Sequence, residues 1–235
     1  MPLPMRSDVP AVLRNPAYSE DAPAGIRLRY SSDRAMQVLI DQNYLPAMLT
    51  TGPLTDEQFA ELCAEHEDLS FEMTADGELI VQPTPYNLTA RREEELYAQL
   101  DTWAETDGRG YASGANQEFV LPNGARRRPD AAWVLKAKVA RLPPDVLERY
   151  WRVCPDFVVE LKSTTDKLAT LRAKMAEWIA NGAQLGWLID PDLRTVEIYR
   201  PGAEVSVVSG MQVIEGMAPV EGFVLDVRPV WDPLG

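Results

Sequence analysis

Hydrophobic and polar positions alternate most clearly over Cys154–Ser163, a run of β-branched and aromatic residues opened by Pro155. That pattern predicts a strand, with Phe157, Val159 and Leu161 on one face and Glu160 and Lys162 on the other. Upstream, Thr55-Asp56-Glu57-Gln58 is a capping box, so a helix runs from there to about His66 with Phe59, Leu62 and Cys63 inward. Phe71-Glu72-Met73 and Glu78-Leu79-Ile80-Val81 flank Ala75-Asp76-Gly77, which signals a hairpin. The stripe Leu96, Tyr97, Leu100 and Trp103 recurs at helical spacing and predicts a helix from about Thr89 to Thr106. Strands over 117–121 and 128–135 enclose the turn Pro122-Asn123-Gly124, and 136–153 reads as an excursion, helical over Pro144–Tyr150. After the strand at 156–163 comes a helix from about Asp166 to Asn181, ended by Gly182 in a C-cap position. Leu185–Asp190 and Thr195–Tyr199 form a hairpin about Pro191-Asp192, and the tail supplies further short strands.

This order predicts an α/β (α+β) fold in which a mixed β-sheet is flanked by helices. The strand at 156–163, its helix and the strand at 185–190 form a βαβ unit, expected to cross over right-handed. Residues 1–25 are proline-rich and aperiodic and read as a mobile arm, and a short helix is expected over Asp33–Asn43. The boundary therefore falls near residue 50, with an arm over 1–50 and one domain over 51–235.

Composition narrows the chemistry. His66 is the only histidine, which argues against a Ser-His-Asp hydrolase, a histidine-based zinc enzyme or a histidine-dependent nuclease. Close to the end of a helix, it reads as a surface or capping residue. Cys63 and Cys154 are far apart in sequence and read as reduced and structural, which suits a cytoplasmic protein. With neither a cysteine nor a histidine cluster, a metal would have to sit on carboxylates, hence Mg²⁺ or Mn²⁺. No apolar run approaches the ~18 residues of a membrane span, and no secretory signal is evident.

Three segments then combine into a candidate site: Pro129-Asp130, Glu160-Leu161-Lys162 thirty residues later, and Glu95 on the helix upstream. Carboxylate oxygens suit a hard cation, and an ammonium beside them stabilises an anionic phosphate. Taken alone, Glu-x-Lys is also what the wet face of any half-exposed strand shows; the constellation carries more than the tripeptide. The net charge of −13 opposes non-specific binding to DNA. Local basic groups remain near the site in sequence: Arg91-Arg92, Arg126-Arg127-Arg128, and Lys136, Lys138 and Arg141. Arg92 and the Arg126–Arg128 triplet are the candidates for contact with a nucleic-acid backbone.

Four stretches carry a family resemblance: Pro129-Asp130-Ala131-Ala132-Trp133-Val134, Pro155-Asp156-Phe157-Val158-Val159-Glu160, Asn181-Gly182-Ala183-Gln184-Leu185-Gly186-Trp187-Leu188-Ile189-Asp190-Pro191 and Val196-Glu197-Ile198-Tyr199-Arg200-Pro201-Gly202. In order and approximate spacing they resemble the Uma-type restriction endonuclease family, formerly a domain of unknown function, over about residues 55–230. The resemblance implies a restriction-endonuclease-like PD-(D/E)XK fold and a Mg²⁺-dependent endodeoxyribonuclease. Asp130 and Glu160 match the metal-binding acids, and Glu95 matches the acid of the first core helix, although Glu93 and Glu94 beside it leave the register open. Lys162 holds the motif lysine position. Many relatives instead use a lysine on the following helix, matching Lys174, and the choice between the two stays open. Many also carry a histidine near the start of the first core helix, where this chain has residues 87–92 without one. In the mechanism so implied, Asp130, Glu160 and the backbone carbonyl of Leu161 hold the metal, the product carries a 5′-phosphate, and a homodimer cuts both strands. The alternative is a catalytically silent interaction module that keeps the nuclease fold, which the acidic surface and the absence of a DNA-reading motif favour.

Overall fold

Residues 26–30, 36–40, 45 and 47–235 are described by the computed structural model, and the chain divides between Thr84 and Pro85 into two compact units. In the first unit β1 (Ile26–Tyr30) pairs antiparallel with β2 (Met36–Ile40). Residues 36–40 were expected to be helical and are strand instead. The β-branched Val38 and Ile40 favour extended backbone, and the partner strand satisfies the peptide groups along the segment. The rest of that predicted helix, and the arm over 1–25, lie outside the described residues.

The remainder of the first unit follows the sequence pattern. Thr55 caps α1 (Asp56–Glu65): its hydroxyl accepts from the Gln58 N–H, and the Gln58 side chain accepts from the Thr55 N–H. The helix closes at His66, whose ring lies 6.0 Å from that of Phe71. β4 (Leu69–Met73) and β5 (Glu78–Pro83) form the predicted hairpin, and β3 (Ala47–Thr50) adds to the outer side of β5. Gly77 in the turn has φ of 81°, and a Cβ there would stand 2.5 Å from the Pro53 nitrogen; only glycine fits. Phe59, Leu62, Phe71, Met73, Leu79 and Val81 are buried together as this unit's core.

In the second unit α2 (Asn87–Asp107) leads to β6 (Gly110–Gly114), then to the short hairpin β7 (Phe119–Val120) and β8 (Arg126–Arg127), then to β9 (Ala131–Leu135). Two single-turn helices, α3 (Lys136–Val139) and α4 (Pro144–Leu147), occupy the predicted excursion. β10 (Phe157–Leu161), α5 (Leu168–Ala180) and β11 (Leu185–Asp190) form the βαβ unit, with β10 and β11 parallel. Gly182, just past α5, has φ of 117°, the turn that ends this helix. β12 (Thr195–Tyr199) returns antiparallel to β11, and β13 (Ser206–Ser209) forms the edge. The sheet order is β13-β12-β11-β10-β9-β6. β14 (Val213–Glu215), β15 (Val224–Asp226) and α6 (Arg228–Trp231) complete the chain.

Both faces of this mixed sheet are covered. Phe157, Val159, Leu161, Leu185, Trp187 and Ile189 pack with Leu96 and Leu100 of α2 and with the C-terminal segment. On the other face Ala132, Val158 and Leu188 meet Leu171, Met175 and Trp178 of α5. Each fully buried large side chain contributes on the order of 1.5–3 kcal/mol. Tyr97, expected within the α2 stripe, is exposed, and the buried ridge runs through Leu96, Leu100 and Ala104. Cys63 and Cys154 form no disulfide among the described residues, and burial pushes Cys154 up to about 12, which keeps it protonated and inert. Among the described residues no helix is long and apolar enough to cross a membrane.

Close packing at β6 gives a direct test. A Cβ at Gly110 would stand 2.2 Å from the Trp133 ring, which is wholly buried and has no room to shift. Gly110→Ala is therefore expected to lower stability by about 1–3 kcal/mol through overpacking, read by chemical denaturation. An unchanged midpoint would show that the indole does not fill this site.

Candidate active site

Glu160 lies on β10, and Asp130 directly precedes its antiparallel neighbour β9. β9 and β10 pair Val158 with Ala132 and Val159 with Ala131, so one step further along the same register sets Glu160 beside Asp130. The Leu161 N–H donates to Asp130 Oδ2 at 2.6 Å, a charge-assisted bond that closes the pair. By alternation Glu160 shares the α5 face with Val158. Glu160 is thus no wet-face residue of a half-exposed strand: it is 2% exposed beneath a helix.

Helix α5 supplies its partners. Lys174 and Trp178 are one turn apart and so lie on one face of the helix. Lys174 Nζ donates to Glu160 Oε2 at 2.9 Å, and Trp178 Nε1 donates to Glu160 Oε1 at 2.8 Å. The same ammonium also donates to the Arg128 carbonyl at 2.9 Å, tying the helix to the chain just ahead of Pro129-Asp130. Lys162 goes elsewhere. The strand ends at Leu161, and the Lys162 ammonium pairs with Asp192 Oδ2 at 3.1 Å in the β11–β12 turn. Alternation places a side chain correctly only while the strand continues, and an exposed carboxylate beyond its end decides the rest.

On the upstream helix, Glu95 and Glu93 have different surroundings. Glu95 accepts from Gln99 Nε2 at 2.9 Å, and Gln99 is itself bound to the Asp226 backbone. Glu93, half-buried two residues earlier, is the member of the triplet that senses the site. Burial, together with the charges of Asp166, Glu160 and Glu94, pushes its carboxyl up to about 7. Asp130 is likewise pushed up to about 7, by burial and by the charge of Glu93, while Lys174 and the Leu161 N–H act in the opposite direction. Asp166 accepts from the Ser163 N–H and hydroxyl at 2.8 and 2.6 Å. Glu93, Asp166 and Trp178 were not singled out from the sequence. A hint for Trp178 lay in its i, i+4 relation to Lys174; three consecutive glutamates gave no comparable hint for Glu93.

Carboxylates that raise one another's pKa form an environment that suits a hard cation. Asp130, Glu160 and Glu93 have the right donor chemistry for Mg²⁺ or Mn²⁺. Among the described residues, no three acidic, histidine or cysteine side chains are already gathered closely enough to hold an ion. Two side-chain carboxylates completed by a backbone carbonyl remain compatible with the arrangement, provided that Glu160 gives up one of its present partners.

The expected basic contacts are mostly internal. Arg126 is 3% exposed; it pairs with Glu118 at 2.6 Å and lies over the Tyr150 ring. Arg127 is buried on Glu177 of α5 at 2.5 Å, and Arg128 stands 3.7 Å from Glu118. Arg92 donates to the Val230 carbonyl at 2.8 Å and anchors the C-terminal turn. Arg126 and Arg127 are therefore structural cations rather than a basic surface. The reason is sequence-distant: the buried Glu118 and the half-buried Glu177 need partners.

A family model described as "Putative restriction endonuclease", Uma2, matches residues 56–228. The chain belongs to the Uma2 family. One solved structure with the same fold is that of a putative nuclease belonging to DUF820 from Anabaena variabilis. It is 20% identical, with a TM-score of 0.63, over 76% of this chain and 98% of that one. A weaker likeness is to the DrdV–DNA complex, 16% identical with a TM-score of 0.31 over 52% of this chain and 82% of that one. No curated protein matches the chain. The fold is that of the restriction-endonuclease-like proteins, and this Uma2 chain carries Glu160 on β10 with Asp130 at the start of the neighbouring β9.

Two predictions follow from these electrostatics. Asp130 and Glu93 are raised from ordinary values of 3.8 and 4.5, so the native state favours their protonated forms. Their contribution to stability is fully present below those ordinary values and is lost as pH rises through about 7. Asp130→Asn keeps an oxygen for the Leu161 N–H and removes the charge. Without divalent metal, its Tm relative to wild type should rise between about pH 5 and pH 8, at ~2–4 °C per kcal/mol; a constant difference would contradict the charge cluster. Arg126→Ala should cost about 3–5 kcal/mol in urea unfolding, because Glu118 would be left buried without its closest counter-charge, with Arg128 3.7 Å away. A surface phosphate contact would instead leave stability unchanged.

Proposed function

We propose that this Uma2 protein is a divalent-metal-dependent endonuclease that hydrolyses phosphodiester bonds in DNA. The observation that carries the reading is the placement of Glu160 on β10 beside Asp130 at the start of the adjacent strand, with the Lys174 ammonium on Glu160. Membership of a family described as restriction endonucleases supports the class of reaction. Asp130, Glu160 and the Leu161 carbonyl would hold Mg²⁺ or Mn²⁺, with Glu93 in the role first expected of Glu95. A bound cation there would lower the pKa of a water ligand and offset charge on the scissile phosphate. Lys174, rather than Lys162, is the lysine that orients the attacking water and stabilises negative charge on the pentavalent phosphorus. The product carries a 5′-phosphate. A cytoplasmic homodimer, with two such sites, would cut both strands.

One observation favours a silent interaction module instead. Both Glu160 oxygens are already bound within the protein, and Arg126 and Arg127 face inward. Titration with Mg²⁺ or Mn²⁺ separates the two, followed by thermal unfolding and by nicking of supercoiled plasmid. In wild type the metal should raise Tm and support nicking. Asp130→Ala should lose the metal response and at least about 100-fold of the nicking rate, since even outer partners of metal ligands are worth ~10–100-fold. Wild type that binds no metal at millimolar concentration would leave the interaction module as the better account.

A further inference from the structure

Trp178 is the least expected member of the site. It is wholly buried in the α5 face of the core, yet its indole N–H points at Glu160 Oε1, 2.8 Å away. Burial of tryptophan in this protein does not by itself bring a hydrogen bond: Trp133 and Trp187 are also wholly buried, and their indole nitrogens have no hydrogen-bond partner among the described residues. The Trp178 donor is thus a particular arrangement and not a general property of this core.

The two donors on Glu160 differ in kind. The indole is neutral, rigid and held by packing, so it stays in place whatever the charge around it. Lysine reaches Oε2 on a flexible four-carbon stem, and its ammonium can move to another acceptor; the Arg128 carbonyl is already one of them. One oxygen is therefore held by a fixed group and the other by a movable one.

We propose that Trp178 is a positioning residue: its indole fixes Glu160 through Oε1, so that Oε2 is the oxygen that exchanges Lys174 for a divalent cation. This rests on the metal-dependent reading above and adds to it the residue that orients the ligand. Outer partners of this kind fix a ligand's rotamer before the cation arrives and typically govern ~10–100-fold in affinity.

The test uses Mg²⁺ itself as the probe and ¹⁵N-labelled protein, in which each of the six tryptophans gives an indole N–H resonance. In wild type the Trp178 indole resonance should shift with Mg²⁺, with the midpoint found by calorimetry, while the Trp187 indole stays still. Trp178→Phe keeps an aromatic ring and removes the donor; its Mg²⁺ midpoint should weaken by about 10–100-fold. Trp187→Phe, which removes an unpartnered indole from the same sheet, should leave the midpoint unchanged. A Trp178 resonance indifferent to Mg²⁺, or an unchanged midpoint in Trp178→Phe, overturns the assignment while wild-type binding keeps the nuclease reading intact. Wild type without any Mg²⁺ response overturns both. The wild-type spectrum needs no variant, so the assignment stays open to refutation even if Trp178→Phe folds poorly.

Discussion

A carboxylate buried between a sheet and a helix must be partnered or it destabilises the fold by several kcal/mol, and Glu160 is that carboxylate here. Two of its partners, Lys174 and Trp178, come from α5, one helical turn apart. This requirement sets the rotation of the helix over β10, because Lys174 and Trp178 must face the strand together. It also sets how far along the strand the helix sits. The crossover through α5 then delivers β11 parallel to β10. Packing of Leu171 and Met175 follows from the same orientation. The interaction that organises the βαβ unit is thus made of the atoms that would carry chemistry.

That coincidence links stability to function. Lys174 spans Glu160 and the Arg128 carbonyl, so the segment bearing Asp130, the strand bearing Glu160 and the helix meet at one ammonium. Around it, burial and the charges of neighbouring acids raise the affinity of Glu93 and Asp130 for protons. Concentrated negative charge at the end of a sheet is unfavourable on its own account and favourable only toward a positive guest. Elsewhere the protein uses its arginines internally. Arg126 neutralises Glu118, Arg127 neutralises Glu177, and Arg172 forms a bidentate pair with Glu197. In a chain of net charge −13, this leaves attraction to nucleic acid to local features of the site rather than to a basic surface.

Local signals in the sequence were read well wherever the physics is local. The Thr55–Gln58 capping box, the β4–β5 hairpin, the glycine that ends α5 and the β11–β12 hairpin all depend on residues within a few positions of each other. Less was legible where a distant partner decides. Nothing near Arg126-Arg127 shows that Glu118 and Glu177 will bury them. The strand at Met36–Ile40 depends on pairing with Ile26–Tyr30, which no periodicity within the segment reveals.

The sequence by itself determined the mixed sheet, the βαβ unit and the candidate pair Asp130 and Glu160, because strand alternation and motif spacing follow from backbone geometry. Only the tertiary structure shows that Lys174 lies on Glu160 while Lys162 lies on Asp192, and that Glu93 senses the charge of Glu160 while Glu95 holds Gln99. Both members of each pair have the right chemistry and lie within range of the site in sequence. Their surroundings are set by where a strand stops, by which neighbour offers a counter-charge, and by which turn of a helix meets the end of the sheet; Asp192 and Gln99 claim one member of each pair. Those are contacts between residues far apart in the chain, and they exist only once the sheet and its helices have packed.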